Sequence, residues 1–128
     1  MNEPIWIERP VLLAVQTELL NRFGGLAGIR DEGLLDSAIG KPRNLFAYGN
    51  PTVFELAASY ATGLVKNHPF LDGNKRIGFM AAYIFLGANG WCLEALEEEA
   101  VLQTLALAAG EATEAEYAAW LEKNSVEA

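Results

Sequence analysis

Basic residues are scarce in this chain: Lys and Arg number 9 against 17 Asp and Glu, a formal net charge of −8. A surface that tracks nucleic acid needs positive charge in excess on one face, so direct nucleic-acid binding is not expected. Cysteine and histidine are scarcer still. Cys92, the single cysteine, allows no intrachain disulfide, and one histidine, His68, is too few for a zinc site of the usual Cys/His type. A reducing, cytoplasmic location is expected. The opening MNEPIWIERP lacks a basic stretch leading into an apolar one, so it does not read as a signal peptide. The longest strongly apolar run, Ile77 to Ala88, is 12 residues, too short to span a bilayer. A soluble protein with no membrane partner is the expectation. Gly-x-Ser-x-Gly and Walker-type loops are also absent, which argues against the hydrolase and P-loop classes that depend on them.

What remains is an ordinary globular composition, 52% hydrophobic and 20% charged over 128 residues, enough for one domain over 1–128 around one core. Pro10 opens a segment in which Leu12, Val15, Leu19 and Phe23 share a helical face, and Gly24-Gly25 ends it, giving a helix over about 10–23. A glycine-rich connection leads to a short helix over 33–41, stopped before Pro42, and 42–51 reads as irregular. Thr52 and Glu55 form a capping box that starts a third helix, which ends where His68 meets Pro69. Residues 75–89 read as a buried central helix, apolar nearly all round, with Gly90 as the left-handed residue past its end. A helix over 96–109 carries Glu97, Glu98 and Glu99 in its first turn, and Thr113 with Glu116 caps a last helix bearing Tyr117, Trp120 and Leu121. Period-two alternation is too short anywhere to predict a strand. The fold class is all-α, about six helices.

Chemistry concentrates in one loop, HPFLDGNKR, His68 to Arg76. Lys66, Lys75 and Arg76 flank the single histidine of an otherwise acidic chain. A helix beginning near Asn74 turns its unpaired amides and positive dipole end toward the loop, so Gly73, Asn74 and Lys75 can offer N–H groups to an anion. Gly73, without a Cβ, permits both the sharp turn and the close approach of an oxyanion. Arg76 presents a planar fork to phosphate oxygens and Lys75 a mobile point charge. Asp72 is a candidate Mg²⁺ ligand, since that ion commonly takes one or two carboxylates plus substrate phosphates. His68 at a helix end is a candidate general base toward a hydroxyl. Taken singly, each has a plainer role: His68 as a cap or packing residue, Asp72 as a turn residue, Asn74 as a helix cap.

In register, however, these residues resemble the motif of the Fic/Doc family: His, any residue, Phe, any residue, Asp or Glu, a small residue, Asn, Gly or Lys, Arg. The upstream GGLAGIRDEGLLDSAIGKPR also resembles the family's short death-on-curing toxins, and the likeness covers nearly the whole chain. The resemblance implies that His68 is the general base, that Asp72 holds Mg²⁺, and that Asn74 and Arg76 contact the phosphates of ATP. It implies that the helix amides form an anion hole.

Lys75 matches the toxin branch, which transfers phosphate, where the AMP-transferring branch has Gly. Gly73 departs from that branch, which commonly has Ala there, while Gly is usual among the AMP transferases. The expected function is therefore a toxin that phosphorylates a Ser or Thr hydroxyl of a host protein, a translation factor such as elongation factor Tu. AMP transfer by the same loop, or a non-catalytic binding module, are the alternatives. No internal inhibitory string of Ser or Thr, three residues, Glu, then Gly or Asn is present, so a separate antitoxin is expected as partner, its flexible tail folding into a groove. The 42–51 segment is the expected target-docking flap, with Phe46 and Tyr48 as contacts, although aromatic residues in a short domain more often serve the core.

Overall fold

The computed structural model describes residues 2–128. Six helices occur in chain order: α1 (Arg9–Phe23), α2 (Glu32–Tyr48), α3 (Val53–Asn67), α4 (Asn74–Ala88), α5 (Glu97–Ala109) and α6 (Glu114–Lys123). Two short strands accompany them, β1 (Trp91–Leu93) after α4 and β2 (Ser125–Glu127) after α6. They pair antiparallel, with Cys92 opposite Val126. At three residues each they are too brief to leave an alternating pattern in the sequence.

The expected helix starts are built as their chemistry requires. Glu55 N–H donates to Thr52 Oγ1 at 3.1 Å while Thr52 N–H donates to Glu55 Oε1 at 2.9 Å. Thr113 and Glu116 repeat the exchange on α6. Each reciprocal pair satisfies two amides that a bare helix end would leave orphaned.

α3 and α4 are the central pair, with α2 and α6 packed on α3. α3 is the more fully buried, its Leu56, Tyr60 and Leu64 lying in the core with Ile77, Phe85 and Leu86 of α4. The two helices approach closely because Gly78 has no side chain: a Cβ there would fall 2.6 Å from Val65 Cγ1. α4 keeps one face, through Phe79, Met80 and Tyr83, turned toward a cleft. At its far end Asn89 clasps the first described segment, accepting from Ile5 N–H at 2.8 Å and donating to Ile5 C=O at 3.0 Å.

α2 corrects the expectation of a short helix followed by an irregular flap. It runs through Pro42 to Tyr48, with Pro42 itself buried. Proline removes one helical hydrogen bond and disfavours helix in the preceding residue, but forbids neither. Here packing outweighs the loss. Leu35, Ala38 and Pro42 face inward, and Gly63 of α3 lets Ala38 come so close that a Cβ on Gly63 would lie 3.1 Å from Ala38 Cα. On either side of Pro42, Lys41 reaches Glu114 at 2.7 Å and Arg43 reaches Glu8 at 2.6 Å. Phe46 packs edge-on against Trp6 at 5.6 Å, so it serves the core. Tyr48 is exposed at the helix end.

Candidate active site

α3 ends at His68, the one non-glycine residue with positive φ among the described residues (φ 49°, ψ 54°). The left-handed turn breaks the helix and lets Pro69 lead away. The carbonyls left unpaired at this end have a dedicated partner: Arg30 donates through Nε to His68 C=O at 2.6 Å and through a terminal nitrogen to Asn67 C=O at 2.8 Å. Arg30 belongs to the connection between α1 and α2, which pairs with the loop as a short antiparallel bridge at Ile29 and Phe70. Arg30 and Asp31 N–H groups both donate to Pro69 C=O, and Leu71 N–H donates to Gly28 C=O. Asp31 then caps α2 through Leu34 N–H.

From the other side the loop is held by Asn74, the first residue of α4. Its Oδ1 accepts from Phe70 N–H and its Nδ2 donates to Phe70 C=O, both at 3.0 Å. That exchange fixes which way the amide faces, and places Nδ2 3.4 Å from His68 Nδ1. With Nδ1 accepting, the ring's proton lies on Nε2. With Nδ1 protonated, Nε2 offers its lone pair and the long contact is given up. The phenyl ring of Phe70 is buried and anchors the loop.

Asp72 has one carboxylate oxygen engaged, Oδ2 accepting from Leu26 N–H at 2.6 Å. The other has no hydrogen-bond partner among the described residues. No group of three or more His, Cys, Asp or Glu residues that could hold a metal occurs among the described residues. A hard dication at Asp72 would therefore depend on a single carboxylate plus oxygens brought by a substrate, which is the usual manner of Mg²⁺ and not of a caged structural ion. Gly73 precedes α4 with φ 79°, a backbone state that glycine adopts at no steric cost.

A cleft of about 850 Å³ opens over this loop, lined at one end by His68, Asp72, Gly73, Asn74, Lys75 and Arg76. Leu19 and Phe23 of α1 and Ala100, Val101, Thr104 and Leu105 of α5 form walls on the flanks. Neither Lys75 nor Arg76 is paired with a carboxylate among the described residues; the Arg76 guanidinium lies over the Phe23 ring, 4.6 Å from its centre. A smaller cleft of about 470 Å³ lies against α5 and shares His68, Lys75 and Leu105 with the first. The positive end of the α4 dipole, two free cations and a histidine thus converge where two clefts meet. An anion of polyphosphate size fits this setting chemically.

Every loop residue singled out from the sequence lies at this end of the cleft. Lys66 does not; its Nζ stands 3.6 Å from where a Cβ of Gly110 would lie, beside the carboxyl end of α5. Phe46 and Tyr48 line neither cleft. Phe23 and Gln16, by contrast, carry no motif signal, and Arg30 lies in the GGLAGIRDEG string without a role legible there, because all three act through contacts between distant segments. Gln16 donates to Asp72 C=O at 2.7 Å from inside α1.

Comparison with known proteins gives a consistent picture. A family model described as Fic/DOC family matches residues 6–86. Over 71 residues the chain is 42% identical to Toxin Doc of Mycolicibacterium smegmatis, covering 53% of this chain and 54% of that protein. Over 80 residues it is 36% identical to Protein kinase doc of Escherichia phage P1, covering 62% of this chain and 64% of that protein. The chain thus spans between about half and two-thirds of the length of these curated relatives.

Proposed function

Because the chain belongs to the Fic/DOC family, we propose that it is a single-domain toxin that moves the γ-phosphate of ATP onto a Ser or Thr hydroxyl of a host protein. The observation that carries this reading is the meeting of His68 and Lys75 at the junction of two clefts, one leading to the α4 amides and the other open to a second reactant.

His68 Nε2 takes the proton of the attacking hydroxyl, whose oxygen bonds to the γ-phosphorus as the bridging P–O bond breaks and its electron pair leaves with ADP. Gly73, Asn74 and Lys75 offer backbone N–H groups to phosphate oxygens, while the Asn74 side chain shapes the loop. Lys75 and Arg76 neutralise charge on the transferring group, where positioning and electrostatics supply most of the catalysis. Asp72, with its free oxygen, would hold Mg²⁺, which supplies charge neutralisation between the phosphates.

Gly73 fits this reading without implying AMP transfer. Its φ of 79° and the nearness of Gln16, whose Nε2 would lie 3.4 Å from an added Cβ, give glycine a backbone reason to be there. Lys75 then remains as the position bearing on reaction type, and it favours phosphate.

The relative from phage P1 is called a protein kinase and the mycobacterial one a toxin. By likeness we infer an antitoxin partner for this chain. The apolar stretch of the cleft beyond Arg76, with Phe79, Met80 and Tyr83 on its floor, suits a segment that folds on binding. A translation factor, elongation factor Tu among them, is the inferred target. A cytoplasmic setting accords with the lone thiol of Cys92, and no helix among the described residues is long and apolar enough to cross a membrane.

The test is transfer from ATP labelled at either the α or the γ position into lysate proteins. Label arriving from γ alone, and lost in His68→Ala, is expected. Label arriving only from α would replace phosphate transfer with AMP transfer, and growth arrest unchanged in His68→Ala would replace catalysis with binding.

A further inference from the structure

α1 buries two residues, Leu12 and, one turn later, Gln16. An amide at a core position one turn from Leu12 is costly unless satisfied, and this one is only half satisfied: Nε2 donates to Asp72 C=O, while the buried Oε1 has no partner among the described residues. Methionine or leucine would fill similar space with no orphaned atom. Rotating the amide offers no relief, because it would set Oε1 against the Asp72 carbonyl, acceptor on acceptor. What the side chain gains is one donor, aimed at one peptide.

That peptide joins Asp72 to Gly73. It is trans, so its C=O and N–H point in opposite directions. Drawing the carbonyl inward onto Gln16 turns the Gly73 N–H away from α1, on the side where Gly73 lines the cleft and has no acceptor among the described residues. Glycine tolerates φ of either sign, so a peptide ending at Gly73 is one that could flip if nothing held it. Flipped, it would present a carbonyl oxygen to the anion end of the cleft and withdraw a donor from it.

We propose that Gln16 is the positioning residue of the anion hole, locking the Asp72–Gly73 peptide so that Gly73 N–H joins the α4 amides in holding a phosphate oxygen. This rests on the phosphate-transfer reading above. Gln16 touches no substrate; it acts through the peptide.

The experiment is backbone amide NMR of the full chain titrated with Mg-ATP, in wild type, Gln16→Met and Gln16→Leu. Both fill similar space and neither can donate to Asp72 C=O. In wild type the Gly73 amide proton is expected to shift together with those of Asn74 and Lys75. In either folded variant the Gly73 response is lost and ATP binds at least 10-fold more weakly, with a parallel fall in transfer. Retention of the Gly73 response and of affinity within twofold in both variants would overturn the proposal. So would a wild-type titration in which Asn74 and Lys75 shift and Gly73 does not, a result that needs no variant to fold. A wild-type titration that moves no loop amide would overturn the nucleotide reading itself, and Gln16's role with it.

Discussion

Asn74 closes on Phe70 from both sides of its backbone, accepting its N–H and donating to its C=O at 3.0 Å each. One side-chain amide thereby does what a neighbouring strand would do, and both partners are shielded from water. Asn74→Ala is expected to leave two loop groups unsatisfied and to cost about 2–6 kcal/mol, each lost partner contributing roughly 1–3. Urea unfolding gives the stability. The HPFLDGNKR amides should exchange with solvent faster than those of α3, a local opening that a uniformly weakened core would not produce.

His68 separates stability from chemistry. It is exposed and holds φ 49°, where a side chain is strained and glycine is not. His68→Gly is expected to be neutral or more stable by up to about 1 kcal/mol, while the proposed phosphate transfer should fall by about 10²–10⁴ with the loss of the proposed proton acceptor. Thermal unfolding and transfer measured on one preparation check both halves. A variant that loses stability in step with activity would mean that the ring is holding the loop together.

Gly78 of α4 faces Val65 of α3 so closely that an added Cβ would lie 2.6 Å from Val65 Cγ1. Gly78→Ala should therefore overpack the core by about 1–3 kcal/mol, despite alanine's better helix propensity. Pairing it with Val65→Ala removes the clashing methyl. The double variant is expected to be more stable than the two single changes would sum to, and denaturant midpoints of the four proteins measure that coupling.

Tyr117, sealed under α5 with its hydroxyl 2.8 Å from Thr104 Oγ1, has its pKa pushed up to about 12 by burial, with the Thr104 bond pulling slightly the other way. The neutral form is thus favoured on folding. Its contribution is whole below the unfolded tyrosine's value of about 10 and is lost as pH rises toward 12, about 2–3 kcal/mol in all. Tyr60, raised by burial in the same sense, adds to this. Stability measured from pH 8 to 12 should fall steeply above 10, and Tyr117→Phe should flatten that fall while costing about 1 kcal/mol at neutral pH.

Much of this was legible in the sequence because it is local. Thr52 with Glu55 and Thr113 with Glu116 lie three residues apart, so their caps are legible without knowing the fold. The same holds for Gly90, which takes the left-handed φ its position after the 75–89 helix suggested. Pro42 misled because a proline's local penalty is visible in one dimension and the packing of Ala38 on Gly63 that overrides it is not. That HPFLDG makes the turn between two helices and NKR opens the second could be read from spacing. How it is held could not, since Arg30 lies 38 residues before His68 and Gln16 lies 56 before Asp72.

Asn74 at the head of α4 and Asn89 just past its end perform the same act, each exchanging two hydrogen bonds with the backbone of a single residue, Phe70 and Ile5. The helix is thus pinned at both extremities like a shaft between bearings. Sliding it by even a fraction of a turn would break one clasp or the other. Accommodation of an incoming ligand then falls to the Lys75 and Arg76 side chains, which no carboxylate among the described residues holds. The floor of the cleft itself stays put.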